Sequence, residues 1–195
     1  MQMESFALLT APSAEPLTLA EAKLHLRVSH NAEDTLIAAL IKASRMAAES
    51  YTNRQLMPAT WVFRCDEFPD SRTIAINRCP VSAVNSVKYF DANNAEQTLN
   101  ADKYIVDLFS EPFRVVLKAT HSWPFSYDRP AAVSIEFTAG YESVAMVPDA
   151  IKSAMLLTIG HLYEHREAVV EGIAVHELPL GVSALLDPHK VYRFR

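Results

Sequence analysis

Residues 147–166 read Val147-Pro148-Asp149-Ala150-Ile151-Lys152-Ser153-Ala154-Met155-Leu156-Leu157-Thr158-Ile159-Gly160-His161-Leu162-Tyr163-Glu164-His165-Arg166, and almost every position favours one long helix. Pro148 suits the first turn, where its missing N–H costs nothing, and Asp149 sits at the positive end of the helix dipole. His161, His165 and Arg166 gather at the opposite end, where positive charge is favoured. Ile151, Met155, Ile159 and Leu162 recur at three- and four-residue steps and make one apolar face. Ala154, Leu156, Leu157 and Tyr163 widen that face well beyond a stripe. Such a helix must be covered on most sides, by the rest of its own chain or by neighbouring subunits.

Outward from this helix, the composition narrows the possible functions. Of the 195 residues 50% are hydrophobic, enough for a substantial core. Four glycines stand against eleven prolines, and neither GxGxxG nor GxxxxGK[ST] occurs, which argues against a Gly-rich phosphate loop. A formal charge of −5 weighs against a generic nucleic-acid binder, which needs a basic surface. The first eleven residues lack the pattern of a signal peptide, and no segment is apolar enough to span a membrane. Cys65 and Cys79 are too few for a disulfide framework and lack metal-pair spacing. A cytosolic, reduced protein is the expectation.

Before the long helix, residues 1–16 read as an irregular, partly extended arm. Thr18-Leu19-Ala20-Glu21 is a capping box, opening a short helix to about Val28 that buries Leu19, Ala22, Leu26 and Leu17. A second helix begins within residues 29–34. Leu36, Leu40, Ala43 and Ala47 form its apolar stripe, flanked by Ile37, Ile41 and Met46, and it ends at Tyr51-Thr52-Asn53-Arg54 before Pro58. The period then changes to two. Residues 61–68 alternate, and residues 73–77, 83–90, 103–108, 114–118 and 131–138 read as further short strands separated by turn residues. Ala139-Gly140-Tyr141 turns the chain back into the long helix. Beyond it the pattern fades, with one or two helical turns at residues 182–186 before Pro188.

The fold class is therefore α+β. N-terminal helices and a long C-terminal helix form a helical bundle, into which an antiparallel β module is inserted, and a C-terminal extended arm follows. The expected divisions are residues 1–58 (arm and helices), 59–139 (β module), 140–168 (long helix) and 169–195 (tail).

The sharpest chemical motif is His161-Leu162-Tyr163-Glu164-His165, which matches H-x-x-E-H. On a helix, His161 and His165 could ligate one zinc with Glu164 as general base, the signature of a zinc-dependent hydrolase. A third ligand, usually a carboxylate, is missing from any recognisable motif: Glu167, Glu171, Glu177 and Asp187 are the only carboxylate side chains that follow. The structural reading is preferred, with no catalytic residue, cofactor or metal. Trp123, Phe125 and Tyr127 alternate beside Arg129 and could stack bases, as in a DNA-binding accessory protein. A packed aromatic loop fits the acidic chain better. In the tail, Val182, Leu185, Leu186, Val191, Tyr192 and Phe194 are apolar anchors. Two readings stand for them: a docking segment for another protein, or a tail folded back on its own domain.

Four stretches together resemble one family: Pro16-Leu17-Thr18-Leu19-Ala20-Glu21-Ala22-Lys23-Leu24-His25-Leu26-Arg27-Val28; residues 34–54 with their Ala-rich helix; Ala139-Gly140-Tyr141 leading to Val147-Pro148-Asp149-Ala150-Ile151; and Gly160-His161-Leu162-Tyr163-Glu164-His165-Arg166-Glu167. The end of the chain, Pro179-Leu180-Gly181-Val182-Ser183-Ala184-Leu185-Leu186, adds to them. In order and spacing they resemble the head–tail connector (adaptor) proteins of tailed phages, in the longer version with a β insertion. The resemblance implies a structural virion protein without enzymatic activity. It would be a subunit of a twelve-fold homo-oligomeric ring that binds the portal protein, offers a surface to the tail or a tail-completion protein, and extends the DNA channel without sequence-specific binding. Assembly would take place in the host cytoplasm, with no membrane involved. The ring-interface helices would carry Leu36, Leu40, Ala43, Ala47, Ile151, Met155, Ile159, Leu162 and Tyr163. The portal-docking tail would carry Val182, Leu185, Leu186, Val191, Tyr192 and Phe194.

Overall fold

The computed structural model describes residues 4–165 and 180–192. The chain is α+β, with four α-helices and two antiparallel sheets among the described residues. It divides into two compact units. One comprises Met1–Pro12, Pro58–Glu142 and Val191–Arg195, the other Ser13–Met57 and Ser143–Lys190. The polypeptide thus passes between them four times, at residues 12–13, 57–58, 142–143 and 190–191.

The helical unit begins with α1 (Leu19–Leu26), whose capping box forms as the sequence implies: Glu21 N donates to Thr18 Oγ1 at 3.2 Å, and Thr18 N donates to Glu21 Oε2 at 2.7 Å. The Thr18 hydroxyl, which donates to Glu21 Oε2 at 2.6 Å, and after it the Thr18 amide hold the Glu21 carboxyl below its ordinary pKa. Helix α2 (Asp34–Thr52) follows. With so few glycines in the chain, both helices stop on a left-handed residue of another type, Arg27 after α1 and Asn53 after α2. Helix α3 (Asp149–Glu164) packs on α1 and α2, and the short α4 (Leu180–Leu186) packs on α3 and α2. Ala22, Ile37, Ile41, Ala48, Ile151, Ala154, Met155, Ile159, Val182 and Leu186 are buried.

The described residues of the β unit form eight strands: β1 (Glu4–Thr10), β2 (Ala59–Cys65), β3 (Thr73–Ile76), β4 (Val81–Phe90), β5 (Glu96–Thr98), β6 (Tyr104–Asp107), β7 (Phe113–Leu117) and β8 (Val133–Ala139). They form a five-stranded sheet in the order β1-β2-β8-β4-β5 and a three-stranded sheet in the order β3-β7-β6. Strand β8 shows the alternation most cleanly: Val133, Ile135, Phe137 and Ala139 are buried, and the residues between them are not. Its neighbour β2 pairs Phe63 with Ile135 and Cys65 with Val133. These residues meet Ile74, Ile76, Phe113 and Val115 of the smaller sheet in one core, where the Phe113 and Phe137 rings lie 5.0 Å apart. Cys65 and Cys79 are both buried free thiols, and burial pushes the Cys65 thiol up to about 12. Gly140 turns the chain out of β8 at φ 123°, a conformation that favours glycine.

Two elements differ from the sequence reading. Residues 4–10, expected as an irregular arm, form the edge strand β1 by pairing antiparallel with β2, Phe6 opposite Phe63. Strand β5 is three polar residues held by pairing with β4.

Candidate assembly surfaces

Helix α2 is buried along one side and carries an apolar stripe on its exposed surface. Its inward face carries Ile37, Ile41, Ser44, Arg45, Ala48, Glu49 and Thr52, all buried. The stripe singled out from the sequence lies one residue, about 100°, around the helix from that face. Leu36 is 37% exposed, Ala43 and Ala47 are exposed and Leu40 is half-buried, with the 55% exposed Met46 alongside. Ile37 and Ile41, read as flanks, are the interior positions. The physical reason lies in the polar inner residues, which satisfy one another. Arg45 Nε donates to Glu15 Oε2 at 2.6 Å, and Arg45 Nη1 donates to Glu49 Oε2 at 2.7 Å. The other Glu49 oxygen accepts from Gln55 Nε2 at 2.7 Å and from Leu56 N at 2.9 Å. A paired network of this kind can occupy an interior face that a hydrophobicity pattern assigns to solvent.

On α3 the arrangement is reversed. Ile151, Met155 and Ile159 are in the unit's own interior, whereas Leu162 is 37% exposed. Tyr163 is half-buried and its hydroxyl donates to the Glu33 carboxylate. The nine residues read as ring-interface positions are therefore not one surface: Leu36, Leu40, Ala43 and Ala47 share the outer face of α2, and the three large residues of α3 are internal.

The tail anchors also separate. Val182 and Leu186 are buried on the helical unit, Leu185 is half-buried, and Val191 is buried in the core of the β unit. Tyr192 is 60% exposed, and Phe194 lies outside the described residues. What fastens the segment is the Tyr51-Thr52-Asn53-Arg54 end of α2. The Tyr51 hydroxyl donates to Asp187 Oδ1 at 2.6 Å, Arg54 Nε donates to the His189 carbonyl, and Lys190 Nζ lies 4.6 Å from the Tyr51 ring centre. Sequence reasoning took those residues only as a helix end. Nothing in their spacing announces partners more than 130 residues away.

A groove of about 500 Å³ that the sequence did not signal runs between α1 and α3. Leu17, Leu24 and Leu156 supply its apolar lining, His25 and Ser153 contribute, and Glu21, Asp149 and Lys152 bring charge. Leu24 is 80% exposed, although it sits on a helix whose opposite side is buried.

The residues behind the alternative chemistries are placed as follows. His161 and His165 are exposed at the end of α3 with ring centres 4.8 Å apart, and Glu164 is exposed beside them. Among the described residues no three His, Cys, Asp or Glu side chains are grouped to hold a metal ion. Glu167, Glu171 and Glu177 lie outside the described residues. Trp123 is half-buried with one ring face stacked on Phe68 at 4.8 Å, and its Nε1 donates to the Ser71 carbonyl at 2.8 Å. Arg129 lies over the Phe90 ring at 4.1 Å. The base-stacking platform read from the sequence is thus packed within the β unit, with Phe125 and Tyr127 left outside. No described helix is long and apolar enough to cross a membrane.

Comparison with known proteins adds the following. No curated protein matches the chain in sequence. By structure it is similar to a chain in the neck of an empty gene transfer agent (GTA) particle computed with C6 symmetry, at a TM-score of 0.79 and 23% identity, covering 98% of this chain and 97% of that one. It is similar also to a chain of the native GTA virion, with a TM-score of 0.78, 22% identity and 97% of each chain covered. A third likeness is to the neck of the native GTA particle computed with C12 symmetry, with a TM-score of 0.71 and 21% identity over 98% and 97% of the two chains. These likenesses establish the fold. In sequence, the model of the phage gp6-like head–tail connector proteins matches residues 16–111, from the start of α1 through both helices and into the β unit. Over residues 16–111 the chain is similar to the phage gp6-like head–tail connector proteins.

Proposed function

We propose that this chain is a structural head–tail connector (adaptor) subunit, located in the virion where the portal vertex meets the tail, and that twelve copies close into a ring extending the DNA channel. The observation that carries this reading is the second apolar face of α2: Leu36, Leu40, Ala43, Met46 and Ala47 lie outside a helix whose other side is already buried. A face of that kind belongs against another protein surface. Similar chains in GTA necks computed with C6 and C12 symmetry support the ring. The helices act as the bundle that builds the ring body. A net charge of −5 suits a passage through which DNA slides, because like charge discourages tight phosphate contact.

The portal-docking segment is confined in this proposal to the end of the chain from Tyr192, since Val182, Leu186 and Val191 are internal. Portal rings mixed with the intact chain should acquire one additional ring of density by electron microscopy. A chain truncated after Val191 should fold yet bind the portal more weakly. If the intact chain does not associate with portal rings, the connector role is wrong. If both versions bind equally, the ring stands and the docking segment does not.

A further inference from the structure

We infer that the groove between α1 and α3 is the receptor for the outer face of α2 from a second copy of this chain. The inference rests on the connector reading in supposing a ring, and it names the two surfaces that would meet. One is a ridge and the other a recess, both on the helical unit. The ridge, Leu36-Leu40-Ala43-Ala47, is apolar for more than three turns, and its two alanines allow a partner helix to approach closely. The recess offers Leu17, Leu24 and Leu156, and Leu24 at 80% exposure is a costly residue to leave in water.

Charge selects the same pairing. Of the four charged side chains on α2, Arg45 and Glu49 are buried together, and Asp34 is bound to Lys23 at 2.7 Å. Lys42 is the remaining one, exposed on the flank of the ridge. The recess carries Glu21 and Asp149 against the single cation Lys152, so its rim is acidic. The Asp149 side chain is 99% exposed, and Lys152 approaches it at 3.4 Å. A lysine beside an apolar ridge therefore meets carboxylates beside an apolar recess. Because ridge and recess are different surfaces, the contact is head-to-tail, the kind that propagates around a ring and closes when the rotation divides the circle.

Cysteine cross-linking tests this directly, since Cys65 and Cys79 are buried and leave the background low. Ala43→Cys and Ser153→Cys are both exposed positions, and folding of each variant is checked by its thermal melt. With a short bis-maleimide, the chain carrying both cysteines should give a ladder of covalent oligomers, alone at high concentration and on portal rings, while each single variant should give none. Lys42→Glu should reduce the ladder about tenfold or more, and adding Asp149→Lys should restore it. A covalent dimer from Ala43→Cys alone would mean a two-fold contact and would overturn the pairing. So would the absence of a ladder from the double variant. In that case a ring still visible on portals leaves the connector role intact, and absence of any ring removes both.

Discussion

Arg45 and Glu49 determine which side of α2 faces inward. Both are buried one turn apart, and Glu49 also accepts the hydrogen bonds that hold Gln55 and Leu56. Glu49→Ala leaves a buried guanidinium with only Glu15, so urea unfolding should show a loss of about 3 kcal/mol. Glu49→Gln, which keeps one acceptor for Leu56 N, should lose less. At Arg27 the prediction has the opposite sign. This exposed residue sits at φ 58°, a region that disfavours side chains with a Cβ. Arg27→Gly should therefore raise stability by about 1 kcal/mol in the same titration. A sequence-level reading placed the end of α1 near Val28 but could not see this strain, because nothing short of the folded turn fixes the backbone angle.

Among the elements, the β6–β7 hairpin tip is the most closely built. Asp107 accepts from the Phe109 and Ser110 amides, each at 3.1 Å, from Ser110 Oγ at 2.7 Å and from Arg114. These bonds, that from the Ser110 hydroxyl first and that from Arg114 next, hold its carboxyl well below the usual carboxylate range. The sign follows from linkage. A depressed folded-state pKa contributes stability that is complete above the unfolded value of about 3.9 and is lost as pH falls toward the folded one. Hydrogen exchange of the Phe109 and Ser110 amides should therefore stay protected at neutral pH, become less protected on acidification below about pH 4, and be fast at every pH in Asp107→Ala. Most elements were legible in the sequence because their signals are local: the Thr18–Glu21 box, the alternation of β8, and Pro148 with Asp149 opening α3. Strands β1 and β5 were not, because both exist through pairing with a neighbour. Glu96-Gln97-Thr98 has no apolar alternation to find. The inner and outer faces of α2 were exchanged for a related reason, since apolarity alone marks both Ile37 and Leu36.

At the level of the whole molecule, interior and assembly positions should separate cleanly in experiment. Ile159 is fully buried, and Ile159→Ala should cost about 2–5 kcal/mol and weaken ring formation only through loss of folded chain. Leu36 lies in the first turn of α2, where an acidic residue is tolerated by the helix dipole. Leu36→Asp should leave the melt of the isolated chain within about 0.5 kcal/mol of the parent and still prevent rings on portals. The stripe proposed as the assembly face was visible in the sequence, while the recess proposed to receive it was not, because α1 and α3 lie more than a hundred residues apart in the chain. The four passages of the polypeptide between its two units have a mechanical consequence. A pull that separates the units is borne by two covalent connections in parallel, at 57–58 and 142–143, to which the terminal crossings add the β1–β2 pairing and the packing of Val191, and a protease that cuts one crossing leaves the others. For the connector subunit proposed above, that is redundancy against both force and nicking, supplied by chain topology.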